Sequence, residues 1–296
     1  MSPIVAFQGE PGAYSEAAAW EYFPQPPQTM PCRRFEDVFA AVAQGQADYG
    51  MIPIENSLAG SIHRNYDLLL RYPVHIVGEY PFRVRHYLLA RPGVSLDQVR
   101  YVASHPQALA QCEGSLQALG LEPIPAEDTA GAARALRESG RTDMAAIASR
   151  RAAEVYGLAV LEAGLEDNPA NFTRFLVIAR QPYPGPEPSQ GYKTSVAFTL
   201  PHQPGALFKA LSVFALRDIN LTKIESRPLP GHPWEYRFYL DFLGHAQRDA
   251  GQRALSHLAE IAPFLRVLGT YPRHAAPSPP DAGADDAIND ESAADR

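Results

Sequence analysis

Four short polar segments of this 296-residue chain bring together side chains suited to donor or acid–base chemistry. Gly9-Glu10-Pro11-Gly12-Ala13-Tyr14-Ser15 leads from an apolar run into a helical pattern, and backbone N–H groups at such a helix start attract anions. No Gly-Lys-Ser/Thr follows, so it is not a P-loop, and glycine turns after strands are more often simple turns than anion sites. Pro53-Ile54-Glu55-Asn56-Ser57-Leu58-Ala59-Gly60-Ser61-Ile62 sets Glu, Asn and two serines around a glycine, more polar groups than one helix cap uses. In Ser104-His105-Pro106-Gln107-Ala108-Leu109-Ala110-Gln111-Cys112, Gln107 and Gln111 are four apart and share a helical face, with Ser104 just ahead of the helix start. His105 is a candidate general acid there, against the plainer reading of a structural or exposed imidazole. Asn168-Pro169-Ala170-Asn171-Phe172-Thr173-Arg174-Phe175 offers a hydroxyl donor and a guanidinium at the mouth of an apolar strand, where a threonine alone is an ordinary strand former.

Other chemistries find no pattern. The nine histidines include no His-x-x-x-His pair and no cysteine at ligand spacing, which argues against a metal centre. There is no Gly-x-Ser-x-Gly elbow for a serine nucleophile and no Gly-x-Gly-x-x-Gly for a dinucleotide. Two cysteines, Cys32 and Cys112, cannot build a disulfide framework.

The elements that must hold these segments follow from apolar periodicity. Strands are expected at Ile4–Gln8, 49–54, 74–80, 83–90, 101–103, Glu122–Pro125, Met144–Ala148 and 176–179. Helices are expected at 15–22 (Ser15 as N-cap), 35 to Gly45, 61–71, 106–119 and 129–137. Gly45-Gln46-Ala47-Asp48 running to Ile52 is echoed by Gly140-Arg141-Thr142-Asp143 running to Ile147, an offset of 95 that suggests two similar lobes with a cleft between them. Gln181–Gly191 holds four prolines and reads as a semi-rigid linker within 181–192. Residues 193–272 follow a βαββαβ order, which is ferredoxin-like. The expected division is therefore 1–180, a linker over 181–192, a small domain over 193–272, and a disordered Ala/Pro/Asp tail over 273–296.

Composition is that of a globular protein, with 46% hydrophobic and 20% charged residues. The formal charge is −7, and residues 273–296 contribute six acids and two arginines, leaving the rest near −3. Such a balance offers no basic surface for nucleic acid or anionic lipid, and no stretch nears the ~18 apolar residues of a membrane span. The opening residues enter a strand pattern with no signal-peptide character, so a cytoplasmic location is expected and a secreted solute-binding protein is not.

Taken together, the four polar segments resemble the prephenate dehydratase family, and residues 193–272 resemble its attached ACT regulatory domain. The carrying residues are Gly9–Ser15, Asp48–Ser57, Ser104–Cys112 and Asn171–Phe175, then Gly205-Ala206-Leu207, Asn220 and Glu225-Ser226-Arg227-Pro228. They stand in family order over residues 4–272. The resemblance implies a catalytic unit folded like a periplasmic binding protein. It also implies conversion of prephenate to phenylpyruvate with loss of CO2 and water, serving phenylalanine synthesis and needing no cofactor. A sister activity on arogenate shares the motifs. By the resemblance Thr173 carries the essential hydroxyl, and Asn56, Ser104 and Gln111 occupy the other positions implicated in the site. Ser15, Ser57 and Arg174 join them as candidate substrate-binding groups, with helix starts near Ser15, Ser61 and Pro106 able to receive a carboxylate. The ACT motifs imply feedback by L-phenylalanine bound between paired domains through Gly205–Leu207, Asn220 and Glu225–Pro228. A homodimer is then the least assembly, and a homotetramer is open. The non-enzymatic alternative is an amino-acid sensor, which would have no use for a donor aimed at a leaving group.

Overall fold

The computed structural model describes residues 2–229 and 231–275. The expected disordered tail lies, from residue 276 onward, outside the described residues, whereas Arg273 still donates its N–H to Gly191 O at 3.0 Å. The chain runs β1 (Ile4–Gln8), α1 (Tyr14–Tyr22), β2 (Gln28–Cys32), α2 (Phe35–Ala43), β3 (Tyr49–Asn56), β4 (Gly60–Ser61), α3 (His63–Arg71) and β5 (His75–Arg83). It crosses to β6 (Tyr87–Ala90), β7 (Tyr101–Ser104), α4 (Pro106–Ala110), α5 (Glu113–Leu119), β8 (Glu122–Pro125), α6 (Thr129–Ser139), β9 (Met144–Ala148), α7 (Arg150–Tyr156) and β10 (Ala159–Ala163). It then returns as β11 (Phe172–Ala179) to the first sheet.

The first sheet has the order β2-β1-β3-β11-β5 and the second β8-β7-β9-β6-β10. In each, three strands are parallel and the fourth runs antiparallel to the third. The 95-residue echo therefore marks equivalent places. Gly45 and Gly140 follow α2 and α6 in left-handed backbone, with φ 74° and 72°, and Asp48 and Asp143 precede β3 and β9, the middle strands of the two sheets. Alternation along the strands covers both faces. Val5 and Phe7 pack under α1 while Ala6 packs under α2, and Leu89 and Ala146 face α6 while Leu88 and Ile147 face α4 and α5.

Residues 192–272 form the expected βαββαβ unit: β12 (Tyr192–Thr199), α8 (Ala206–Ala215), β13 (Leu221–Pro228), β14 (Tyr236–Leu243), α9 (Asp249–Ile261) and β15 (Phe264–Pro272). The sheet, β13-β14-β12-β15, is antiparallel throughout. One face carries Val196, Phe198, Leu240 and Phe242 against the two helices. The other lays Ala197, Tyr239 and Tyr271 against Tyr66 and Ile76 of the first lobe. Because β12 is covered on both sides, it reads as a nearly continuous buried run. At Gly269 the backbone comes so close to Ile76 O that any Cβ would collide with it.

Several local expectations are corrected. Pro81 does not divide two strands; β5 runs through it, because β5 is the edge of its sheet and pairs only with β11 there. The single helix expected over 106–119 is two, since Asp167 takes Gln111 O with its N–H (2.8 Å) and caps Gly114 N (3.0 Å) with its carboxylate. Ser15 is not an N-cap; Ala13 holds that place, and Ser15 lies inside α1. Among the described residues no helix is long and apolar enough to cross a membrane.

Candidate active site

A cleft of about 540 Å³ opens where the ends of β1, β3 and β11 meet the loops of the second lobe. Thr173, Asn56, Gln111 and Ser15 all line it, together with Tyr14, Ser61, His86, His105 and Gln107. Thr173 stands opposite Asn56 in the β11–β3 register, so sheet pairing sets two residues 117 positions apart side by side. Asn56 Oδ1 accepts the N–H of Leu58 at 3.0 Å and of Ala59 at 2.9 Å. Its Nδ2 donates to Asn171 Oδ1 (2.8 Å), Phe172 O (3.2 Å) and Thr173 Oγ1 (3.1 Å). Thr173 Oγ1 is thus an acceptor toward the protein, which leaves its own O–H available to donate into the cleft.

Behind this pair runs a second line of polar groups. Asn171 Nδ2 donates to Gln111 Oε1 at 3.1 Å, and His86 Nε2 lies 2.9 Å from the same oxygen. Tyr14 places its hydroxyl 2.6 Å from His86 Nδ1. Burial lowers the His86 pKa below its ordinary 6.5 and raises Tyr14 well above its ordinary value, so both are neutral at pH 7. Cys112 beneath is pushed up to about 12 by burial and is no thiolate nucleophile. The sequence gives Tyr14 no role beyond its place in Gly9–Ser15, and His86 belongs to none of the four segments. Two single residues 72 positions apart make no motif, and only the crossing from β5 to β6 brings His86 to the start of α1.

The loop Gly9–Ser15 is held to the other lobe. Ser149 Oγ donates to Gly12 O (2.5 Å), Tyr156 OH to Pro11 O (2.8 Å), and Arg134 pairs with Glu10 at 3.3 Å. Gly12 has φ 88° and lies so near Ala152 that a Cβ would sit 2.7 Å from its Cα. These contacts draw both lobes around the cleft.

Three expected site residues sit elsewhere. Arg174 follows Thr173 on a strand, so it points to the opposite face. There it lies 2.6 Å from Glu55, 2.8 Å from Asp241 and 3.3 Å from Glu79, at the contact with the βαββαβ unit. Ser104 is fully buried and donates to Ile147 O at 2.6 Å, as its place at the end of a central strand dictates. Ser57 donates to Ala170 O (2.8 Å) and accepts Phe172 N–H (2.9 Å), pinning the turn after β3 to the start of β11. Among the described residues lining the cleft none is Arg or Lys. A separate cavity of about 930 Å³, which shares Gln8, Gly9 and Asp128 with the cleft, is lined by Arg33, Arg134 and Arg141.

The residues expected to bind an effector also part by strand alternation. Gly205 is the left-handed N-cap of α8 (φ 77°), and Ala206 and Leu207 line a cavity of about 160 Å³ with Trp234 and Tyr236. Glu225 and Arg227 instead face the first lobe. Ser61 Oγ donates to Glu225 at 2.6 Å, His63 lies 3.1 Å from it, and Arg227 donates to Asp67 at 2.7 Å. Ser226 and Pro228 lie on the other, exposed face of β13, and Asn220 offers its backbone oxygen to Leu243. Burial works to raise the Glu225 carboxyl, but the Ser61 hydroxyl, Lys223 and His63 together hold it below its usual range.

Comparison with known proteins places this geometry. The prephenate dehydratase family model matches residues 5–183 and the ACT domain model residues 194–259. An arogenate dehydratase/prephenate dehydratase of Arabidopsis thaliana is 51% identical over 90% of this chain and 72% of its own length. Prephenate dehydratase of Arthrobacter aurescens, solved in complex with L-Phe, superposes with a TM-score of 0.82 at 35% identity, over 91% of this chain and 90% of that one. GqqA, described as a quorum-quenching acylase, reaches 0.86 at 42% identity, over 92% and 98%. The expectation of a cytoplasmic protein is overturned. The Arabidopsis relative is chloroplastic, as are two others at 50% and 49% identity, and an opening that runs straight into a strand does not report the compartment. On these matches the chain belongs to the prephenate dehydratase family, carbon–oxygen lyases, and carries an ACT domain behind its catalytic unit.

Proposed function

We propose that the substrate is prephenate and the product phenylpyruvate, with Thr173 as the catalytic donor, and that L-phenylalanine is the effector of the ACT domain. The observation that carries the role of Thr173 is the bond from Asn56 Nδ2 to Thr173 Oγ1, which commits that oxygen as an acceptor and leaves its proton for a ligand. The substrate and effector are supported by the family match and by the relative solved in complex with L-Phe. In the reaction the ring carbon–carboxylate bond breaks and its electron pair enters the ring. The C4–hydroxyl bond then breaks, and the departing oxygen takes a proton to leave as water while CO2 is released. An aliphatic hydroxyl is too weak an acid to supply that proton outright, so Thr173 acts as a preorganised hydrogen-bond donor to the leaving oxygen. The net proton comes from a neighbour or water. A cleft lined by Pro53, Ile62, Val84 and Phe175, with no Arg or Lys among its described lining residues, suits loss of a carboxylate that no cation clamps. Gln107, Gln111 and Ser15 offer neutral donors for holding the rest of the substrate.

The domain division 1–180, 181–192 and 193–272 is part of the same proposal, as is a homodimer or homotetramer in which paired ACT domains enclose phenylalanine. An acylase activity of the kind named for GqqA gains no specific support, since among the described contacts neither cleft histidine meets a serine or cysteine: His86 is bonded to Gln111 and Tyr14, and His105 accepts the Gln107 N–H. The purified protein incubated in parallel with prephenate and arogenate tests the reading. Phenylpyruvate from prephenate is expected; phenylalanine from arogenate alone would transfer the assignment to the amino acid, and conversion of neither would overturn it. Calorimetry with L-phenylalanine tests the effector, which no heat of binding would remove.

A further inference from the structure

The donors around the cleft are not free to choose a direction. A backbone N–H cannot reverse, so the amides of Leu58 and Ala59 fix the oxygen of Asn56 and turn its NH2 group toward Asn171. The Asn171 atom at that contact must accept, which turns its own NH2 group toward Gln111 at 3.1 Å. The Gln111 atom there must then be its oxygen, and the His86 Nε2 that lies 2.9 Å from it must carry a proton. In a neutral ring Nδ1 is left as the acceptor, matched by the Tyr14 hydroxyl at 2.6 Å. Side-chain amide directions, ordinarily an open choice, are here dictated from one end.

We propose that His86 is a positioning residue: its Nε2–H, together with Asn171, saturates the oxygen of Gln111 and so holds that amide's NH2 group as a donor toward the cleft. His86 is 2% exposed, and its backbone N–H donates to Glu166 at 2.8 Å, so the ring is fixed in place as well as in tautomer. Its lowered pKa keeps it neutral at pH 7, as the acceptor role of Nδ1 requires. Gln111 lines the cleft beside Thr173, where an NH2 group can meet a carboxylate or hydroxyl oxygen. A rotated Gln111 would present its oxygen to the same ligand atoms and repel them. The inference rests on the cleft being the dehydratase site.

The test has two independent arms on the full-length protein. Nitrogen–proton correlation NMR of the histidine rings should show His86 protonated at Nε2 and bare at Nδ1 at pH 7; the opposite tautomer overturns the proposal. Steady-state kinetics then use whichever of prephenate or arogenate the wild type converts. His86→Leu should lower kcat/KM about tenfold, the worth of one oriented hydrogen bond, while His86→Gln should return to within about threefold of wild type. The glutamine rescues because its amide nitrogen can reach the same oxygen, a recovery that mere core filling does not give. A folded His86→Leu with wild-type kcat/KM, or a glutamine variant no better than leucine, overturns the assignment. Should neither substrate be converted, the dehydratase reading fails, while the tautomer still decides whether His86 orients Gln111. If His86→Leu does not fold, the tautomer decides likewise.

Discussion

Thr173→Val is the sharpest perturbation, because it keeps a branched side chain of nearly equal volume and deletes only Oγ1. Asn56 Nδ2 retains Asn171 Oδ1 at 2.8 Å and Phe172 O at 3.2 Å, so no buried donor is orphaned and the structural loss is one hydrogen bond, about 1 kcal/mol. The β11 ladder to Asn56 on one side and Phe82 on the other is backbone only and stays intact. On the proposed mechanism the chemical loss is larger, since one preorganised donor to a leaving oxygen is worth ~10²–10³ in kcat, about 3–4 kcal/mol. The two effects are separable by measuring the urea midpoint and the rate of phenylpyruvate formation on the same preparation. Thr173→Ser, which restores the hydroxyl, should recover most of the rate. A valine variant turning over within about threefold of wild type would remove Thr173 from the chemistry, because so small a change is under 1 kcal/mol of barrier.

Three further outcomes follow from the contacts around the cleft. Among the described contacts, Arg174→Leu leaves Glu79 with Lys193 and Glu55 with Lys223, and leaves Asp241 with the Ser195 hydroxyl but no cation. The expected loss is about 3 kcal/mol of stability, seen in the urea midpoint, with a smaller fall in kcat than Thr173→Val; lost turnover at unchanged stability would put Arg174 in the chemistry. Glu225→Ala cuts the bond by which the ACT sheet holds Ser61, a residue lining the cleft. On the proposed regulation by phenylalanine it should weaken that effect on kcat/KM by about threefold or more, and an unchanged dose–response curve would detach Glu225 from regulation. Burial holds His86 below its ordinary 6.5, so as pH falls the unfolded chain takes up that proton first. Its stabilising contribution is full above pH 6.5 and is lost as pH drops toward the folded value. The unfolding free energy should therefore decline below pH 6.5 less steeply in His86→Gln than in wild type, and equal slopes would assign the decline to another group.

Local pattern determined much of this protein. The bounds of β1, β8 and β9, the βαββαβ order after residue 191, and the Gly–Asp–Ile echo of the two lobes are all present in residue spacing. The strands that pattern did not reveal, β2, β4 and β10, are at sheet edges with little buried surface, so no apolar alternation marks them. The motif Thr173-Arg174 was legible as a pair, but the pairing itself hid the outcome, for adjacent strand residues face opposite ways. One enters the cleft and the other the ionic contact with the ACT sheet. Sequence could name Asn56, Gln111 and Thr173 as candidates, yet the direction of each hydrogen bond depends on β11 returning from the second lobe to pair with β3. That pairing joins residues more than a hundred positions apart, and His86 and Tyr14 meet only because the chain crosses between lobes beside α1. Side-chain type is a local property; which atom gives a proton and which receives it is set by neighbours that only the folded chain supplies.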